Sequence, residues 1–149
     1  MGSTDPFPRL FTVDEANALL PAVRRLTERI QENIQRLKSQ SKTVIRDEQL
    51  DPGAGDFMER LQENSEIARL VAEVKDGVKQ IESYGCICKG AERGLIDFPC
   101  LLGTEVVFLC WQQGEPTVSY WHQIEAGFAG RRPLLDVEKT GPDKKTSYH

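Results

Sequence analysis

The chain has 149 residues, which predicts one domain around a single core. Its net charge of -4 and pI near 5.3 give no basic excess, so neither nucleic acid nor an anionic membrane is an expected partner. The N-terminus has no cationic start followed by an apolar core, and the longest apolar run is far short of the ~20 residues of a spanning helix, so a cytoplasmic protein is expected.

The first predicted element is a long helix. Thr12 and Glu15 have the spacing of a capping box. Apolar residues then recur at steps of three and four from Leu19 to Leu37 and, after a polar gap, at Val44 and Ile45, which predicts one helical face. Pro21 removes the backbone hydrogen bond to Asn17, so a kink or a separate short helix is expected near residues 17–21.

A turn at residues 51–55 and a second helix from Asp56 to about residue 84 follow. Folding the chain at Pro52 and Gly53 aligns the two apolar stripes, which predicts a long antiparallel helical hairpin of the coiled-coil type over about 13–84. The stripe near the base exceeds what one facing helix needs. A small sheet or a second subunit should cover it, so a homodimer is expected.

The period changes after Gly85. Short strands are predicted at residues 86–88, 95–98, 106–111 and 117–121, giving an antiparallel sheet of three or four strands packed at the open end of the hairpin. The fold class is therefore α+β. Residues 11–135 form the single domain, with the sheet and a glycine loop at about 86–135, a flexible N-terminus at 1–10 and a disordered tail at 136–149.

The four cysteines are expected to be reduced, buried structural thiols. Cys86 and Cys88 lack the two-residue spacer of a zinc knuckle, so a zinc site built from Cys86, Cys88, Cys100 and Cys110 is the less favoured alternative. Cys110 lies beside Trp111 in an apolar strand and is expected to be a packed thiol rather than a nucleophile.

Acidic residues and one histidine are concentrated in the last third of the chain. They indicate a metal or proton-transfer site formed by Asp97, Glu115, His122 and Glu125. His122 and Glu125 would share a face if the chain entered a helical turn there, and Asp97 is expected at a strand end. The structural alternative makes His122 a buried, hydrogen-bonded residue beside Trp121, with the carboxylates bonded to loop backbone or to arginines.

The expected ion is one divalent transition metal, Mn, Fe or Zn. One histidine is few for catalytic zinc, so ions that accept more oxygen ligands, Mn, Fe or Mg, fit slightly better. With an open position the ion would activate water, and Glu115 would be the base of a metal-dependent hydrolase.

A second candidate site is the glycine loop at residues 127–133. Its backbone N–H groups together with Arg131 and Arg132 would hold a carboxylate or phosphate. The alternative is internal pairing of either arginine with Asp97 or Glu125. The loop lacks the preceding strand and the Lys-Ser or Lys-Thr of a nucleotide P-loop.

Several motifs occur in order along the chain: FTVDEANALLP, GLIDFP, LCW, GEP, YWH and GFAGRRPL. Together they resemble the prokaryotic family catalogued as domain of unknown function 2203, over about Phe11 to Leu134. The resemblance implies a small bacterial or archaeal protein and carries no mechanism. The family pattern matches at Asp97, Trp111, Glu115, Trp121, His122, Gly127 and Arg131, and Cys86 and Cys88 lie outside it.

Two classes of function remain. A long hairpin without a convincing catalytic set favours a non-enzymatic, dimeric interaction or scaffolding module with a protein partner. The alternative is a divalent-metal-binding protein or metal-dependent hydrolase with its site at Asp97, Glu115, His122 and Glu125. Whether the protein is an enzyme stays open.

Overall fold

The computed structural model describes residues 7–135 and has an α+β fold. Three helices come first: α1 (Val13–Asp47), α2 (Phe57–Gln62) and α3 (Ser65–Ser83). An antiparallel sheet follows, with its five strands side by side in chain order: β1 (Ile87–Gly90), β2 (Leu95–Leu102), β3 (Glu105–Gln112), β4 (Tyr120–Gln123) and β5 (Arg132–Pro133). A short 3-10 helix, Phe128–Gly130, precedes β5. No helix within residues 7–135 has the length and apolar character needed to cross a membrane.

The predicted tails fall mostly outside the described residues. The disordered tail expected at 136–149 and the first six residues of the expected N-terminal segment lie there. Within the segment that is described, the Phe7 ring packs edge-on against Phe108 at 5.4 Å between centroids. The guanidinium of Arg9 donates to the backbone oxygen of Tyr84 at 3.3 Å.

Helix α1 begins at the predicted capping box. The Thr12 side chain accepts from the Glu15 N–H at 3.1 Å, and the Glu15 carboxylate accepts from the Thr12 N–H at 2.9 Å. The separate short helix expected before Pro21 does not form, because α1 continues through it to Asp47. Leu20 and Val23 are buried on either side of the proline, and their packing outweighs the single missing hydrogen bond.

The second helical segment is divided, which corrects the prediction of one uninterrupted helix. Asn64 separates α2 from α3 and caps α3, since its side-chain oxygen accepts from the N–H groups of Glu66 and Ile67 at 3.0 and 3.1 Å. Asparagine bonded to backbone in this way favours a helix start over a helix interior.

Helix α3 packs along α1 through apolar side chains, with Ile30 and Ile81 in one buried cluster, and through a small residue and a polar contact. The Asn33 amide donates to the Glu73 carboxylate at 3.2 Å. Gly77 lies where a β-carbon would come within 2.6 Å of Ile30. The two helices therefore run antiparallel to each other where they are in contact. A small apolar cluster of Val44, Leu50, Leu61 and Ile67 lies at the far end.

The main core lies between the helices and one face of the sheet. The surplus stripe of α1, including Leu20, Val23 and Ile30, belongs to one buried cluster with the sheet residues Ile96, Phe98, Cys100, Leu109, Trp111 and Trp121. The sheet of the same chain therefore covers the stripe. This burial is the main source of stability, at roughly 25 cal/mol per Å² of apolar surface removed from water.

Strand β2 is longer than predicted and continues through Pro99. Asp97 is therefore its third residue and does not lie at a strand end. The Pro99 carbonyl accepts from the Phe11 N–H at 2.6 Å, on the side of β2 away from β3. The missing proline N–H points to that same side, so no hydrogen bond to β3 is lost.

The register of β3 with β4 separates the two tryptophans. Trp121 lies opposite Leu109 and Trp111 lies opposite Ile96, so the tryptophans are not direct partners. The helical turn considered for residues 120–127 is instead strand β4 through Gln123, followed by a turn. Residues 120–123 form a strand because the backbone of Val107–Cys110 on β3 is available to pair with them.

Candidate metal centre

Three neighbouring strands each contribute one polar side chain to the same face of the sheet. Asp97 on β2 lies opposite Cys110 on β3, and His122 on β4 lies opposite Phe108. Residues two apart on a strand share a face, so Cys110 and Phe108 bring Asp97 and His122 onto one side. Since Trp111 packs in the core against the helices, this shared side faces away from α1.

The three side chains converge and are buried. His122 Nε2 lies 3.2 Å from Oδ2 and 3.3 Å from Oδ1 of Asp97. One ligand atom from each of Asp97, Cys110 and His122 lies within 4.8 Å of the others. The exposed fraction is 2% for Asp97, 1% for Cys110 and 2% for His122. Among residues 7–135 this is the one such group of three or more metal-ligating side chains.

The backbone fixes the tautomer of His122. Its Nδ1 atom lies 2.8 Å from the carbonyl oxygen of Gln123. A carbonyl oxygen only accepts, so Nδ1 carries a proton and donates it. In the neutral imidazole, Nε2 then presents a lone pair to the carboxylate of Asp97. That arrangement is repulsive unless a proton or a cation lies between the two groups.

Burial sets the protonation of the other two groups. Loss of solvent raises the pKa of Asp97, against the opposing attraction of His122 and Lys89. Burial also raises the pKa of Cys110 to about 12, with the nearby Asp97 adding to the effect. Without a bound cation, Cys110 is therefore a thiol at neutral pH.

A small cavity adjoins the three side chains. Its volume is about 160 Å³, and its lining residues are Lys89, Leu95, Asp97, Cys110, His122, Gly127 and Phe128. Lys89 stands 43% exposed with its Nζ atom 3.9 Å from Oδ2 of Asp97, so this cation borders both the cavity and solvent. Gly127 has φ of 67°, which favours glycine, and together with Phe128 it lines one side of the cavity.

The four residues proposed from the sequence do not all meet. Asp97 and His122 come together, whereas the Glu115 carboxylate accepts from Arg131 at 2.6 Å and from the Gln112 N–H at 2.9 Å. Glu125 is exposed in the turn after β4 and is not part of the group. Its separation from His122 follows from β4, because a strand followed by a turn does not give helical i, i+3 neighbours.

The two arginines of the glycine loop diverge. Arg131 lies over the rings of Tyr120 at 3.8 Å and Phe128 at 4.6 Å and pairs with Glu115, whereas Arg132 lies over Trp121 at 5.5 Å. Tyr120 and Trp121 are successive residues of β4 and point to opposite faces. Arg131 and Arg132 therefore do not converge on one anion, and anion binding by either stays a prediction.

Cys110 completes the group in place of the two glutamates, whereas the sequence suggested it as a ligand only together with Cys86, Cys88 and Cys100. All four cysteines are free, and no four-cysteine cluster exists within the described chain. Burial raises the pKa of Cys100 to about 11 and that of Cys86 to about 12. Cys100 lies in the core on the helix side of the sheet, and Cys110 lies on the opposite face. Sequence spacing does not show which face a cysteine occupies when the strand register is unknown, so it did not single out Cys110.

Comparisons with known proteins give one result. No curated protein and no solved structure matches the chain. A family model does match, over residues 9–134, and its description is "Uncharacterized conserved protein (DUF2203)". That range covers nearly all of the described structure, including every strand and the three converging side chains. The chain therefore belongs to the DUF2203 family, as its motifs indicated.

Proposed function

We propose that this protein binds one divalent transition metal ion through a carboxylate oxygen of Asp97, the thiolate of Cys110 and Nε2 of His122. The observation that carries the proposal is the orientation of His122. Metal-bound histidines almost always donate their other ring N–H to a carbonyl or carboxylate, as Nδ1 does to Gln123. The remaining nitrogen then aims its lone pair at the cation.

The ligand types favour particular ions. One oxygen, one nitrogen and one sulfur ligand suit a borderline ion such as Zn²⁺ or Fe²⁺, whereas Mg²⁺ and Ca²⁺ prefer oxygen alone. The oxygen-rich set expected from Glu115 and Glu125 favoured Mn, Fe or Mg, so iron suits both ligand sets. A divalent ion binds the thiolate form of Cys110, so metal binding would displace the Cys110 proton despite the raised pKa of this thiol.

Hydrolysis by a metal-bound water would require an additional step beyond metal binding. Three protein ligands leave a fourth position open in a tetrahedral ion, which is how catalytic zinc sites hold water. Glu115, the base expected from the sequence, is engaged by Arg131. The geometry therefore supports metal binding more directly than it supports hydrolysis.

Elemental analysis of protein purified without chelator tests the metal proposal. We expect about one equivalent of zinc or iron per chain, as for a site with a complete ligand set. Cys110→Ala should remove it while the circular dichroism spectrum stays native. Cys100→Ala is the matched control, since it deletes an equally buried sulfur on the opposite face of the sheet. Equal metal content in the two variants would reject Cys110 as a ligand, and metal-free protein after incubation with Zn²⁺ would reject the site.

A dimeric interaction or scaffolding module is the second proposal. Its original support, the surplus apolar stripe, is covered by the sheet. What supports it now is a groove between α1 and α3, lined by opposite charges that include Arg29 and Asp76. In a twofold dimer the same groove meets itself, so Arg29 of one copy would face Asp76 of the other.

Light scattering over a range of concentrations tests the dimer. Arg29→Glu should weaken association, and the charge swap Arg29→Glu with Asp76→Lys should restore it. A monomer at every concentration would reject this second proposal without bearing on the metal site.

A further inference from the structure

The proposed metal centre has an unbalanced positive charge beside it. A carboxylate, a thiolate and a neutral imidazole together cancel the two charges of a divalent ion. Lys89 Nζ lies 3.9 Å from Oδ2 of Asp97. Because the bound ion would neutralise the Asp97 carboxylate, Lys89 would lose most of its attraction to this partner. Among residues 7–135, Asp97 is the one carboxylate paired with Lys89, so an additional anion beside the metal would balance the positive charge of Lys89.

The cavity limits the size of what supplies that charge. Its volume of about 160 Å³ is small beside the about 300–1,000 Å³ of clefts for drug-sized ligands, so the part of a ligand that it encloses amounts to a few non-hydrogen atoms. Apart from the three ligands and Lys89, the lining is apolar and consists of Leu95, Gly127 and Phe128.

We infer that this cavity takes a short-chain monocarboxylate, with its carboxylate between the metal and Lys89 Nζ and its alkyl end against Leu95 and Phe128. The inference rests on the proposed metal site. All three ligand residues line the cavity, so a carboxylate inside it would be within reach of an ion that they hold. Lys89 also lies 4.7 Å from the Phe108 ring, and this contact holds the ammonium group near the cavity.

Cobalt substitution provides the test, because a Co²⁺–thiolate site has visible absorption bands that change when an exogenous ligand binds. The full chain is stripped of metal, loaded with Co²⁺ and titrated separately with acetate, propionate and the larger anion citrate. We expect saturable band shifts with acetate and propionate and none with citrate. Lys89→Met should raise the dissociation constant for acetate about tenfold, the loss of one charge-assisted contact. Lys79→Met, an exposed change on α3, is the control and should leave it unchanged.

The outcomes separate this inference from the metal proposal. Co²⁺ binding with no spectral response to any carboxylate would overturn the inference and leave the metal site standing. A response of equal affinity in the Lys89→Met and wild-type proteins would overturn the role of Lys89. Tight binding of citrate would overturn the size limit. Failure to bind Co²⁺ at all would overturn the metal proposal, and the carboxylate site would fall with it.

Discussion

Nε2 of His122 and Oδ2 of Asp97 lie 3.2 Å apart, although β3 runs between the strands that carry them. Because Nδ1 donates to Gln123, this short distance brings a lone pair to a carboxylate. A proton on Asp97, a second proton on His122 or a metal ion relieves the conflict. The first two solutions hold the same proton on different atoms, whereas a metal ion takes its place. The metal-bound and metal-free forms therefore differ in the number of bound protons and can be told apart in solution.

Metal binding should release at least one proton at pH 7. The pKa of Cys110 is raised to about 12, so the thiol is protonated until the metal displaces its proton. Each released proton makes the apparent affinity rise about tenfold per pH unit. Calorimetry in two buffers with different ionisation enthalpies counts the protons. Cys88→Ser is the control and should leave the count unchanged, and a count of zero would show that Cys110 stays a thiol and does not coordinate.

Removing the charge of Asp97 should change how the stability of the metal-free protein depends on pH. Burial raises the pKa of Asp97, so the folded state holds this proton more tightly than the unfolded chain. Its stability contribution is complete below the unfolded pKa of about 3.9 and is lost as the pH rises through the folded value. Asp97→Asn does not titrate, so its stability relative to wild type should increase upward from about pH 4.

Urea denaturation in the presence of a chelator at several pH values from 4 to 8 measures this trend. Glu32→Gln, an exposed change on α1, gives the baseline for removing one carboxylate. A relative stability of Asp97→Asn that fell with rising pH would mean that attraction to His122 and Lys89 outweighs the cost of burial.

Substitutions at the glutamates decide between the ligand set drawn from the sequence and the one drawn from the structure. Glu115→Gln should retain the metal, because its carboxylate is bonded to Arg131 and to the Gln112 N–H. It should cost about 1 kcal/mol of stability through the weakened bond to Arg131, which is 12% exposed. Glu125→Gln should be neutral in metal content and stability. Metal loss in either variant, measured by elemental analysis, would show that the substituted glutamate contributes to the metal site.

Close contact between α1 and α3 predicts a coupled effect at Gly77. A β-carbon there would lie 2.6 Å from Cγ1 of the buried Ile30, so Gly77→Ala should destabilise by about 1 kcal/mol despite the better helix propensity of alanine. In an Ile30→Ala background the clash is gone. The same change should then be neutral or stabilise by up to ~1 kcal/mol. A double-mutant cycle by chemical denaturation measures the coupling, and strictly additive effects would contradict this packing.

One part of the site was within reach of the sequence. Gly103 and Thr104 lie midway between Asp97 and Cys110, and the observed pairing of these two residues follows from a two-residue connection at that point. Taking β2 through Pro99 would have revealed the pair. Proline is rare in strands, but Pro99 fits in β2 because its missing N–H faces away from β3.

The sequence by itself determined the local elements. Period-3.6 apolar spacing and the Thr12–Glu15 box determined α1, and the β-branched and aromatic run at 106–111 determined β3, because these signals arise from neighbours in the chain. Its motifs also determined the family. Only the tertiary structure decided that His122 meets Asp97 and Cys110 while Glu115 turns to Arg131. Strand register and burial decide such meetings, and both depend on residues far apart in sequence.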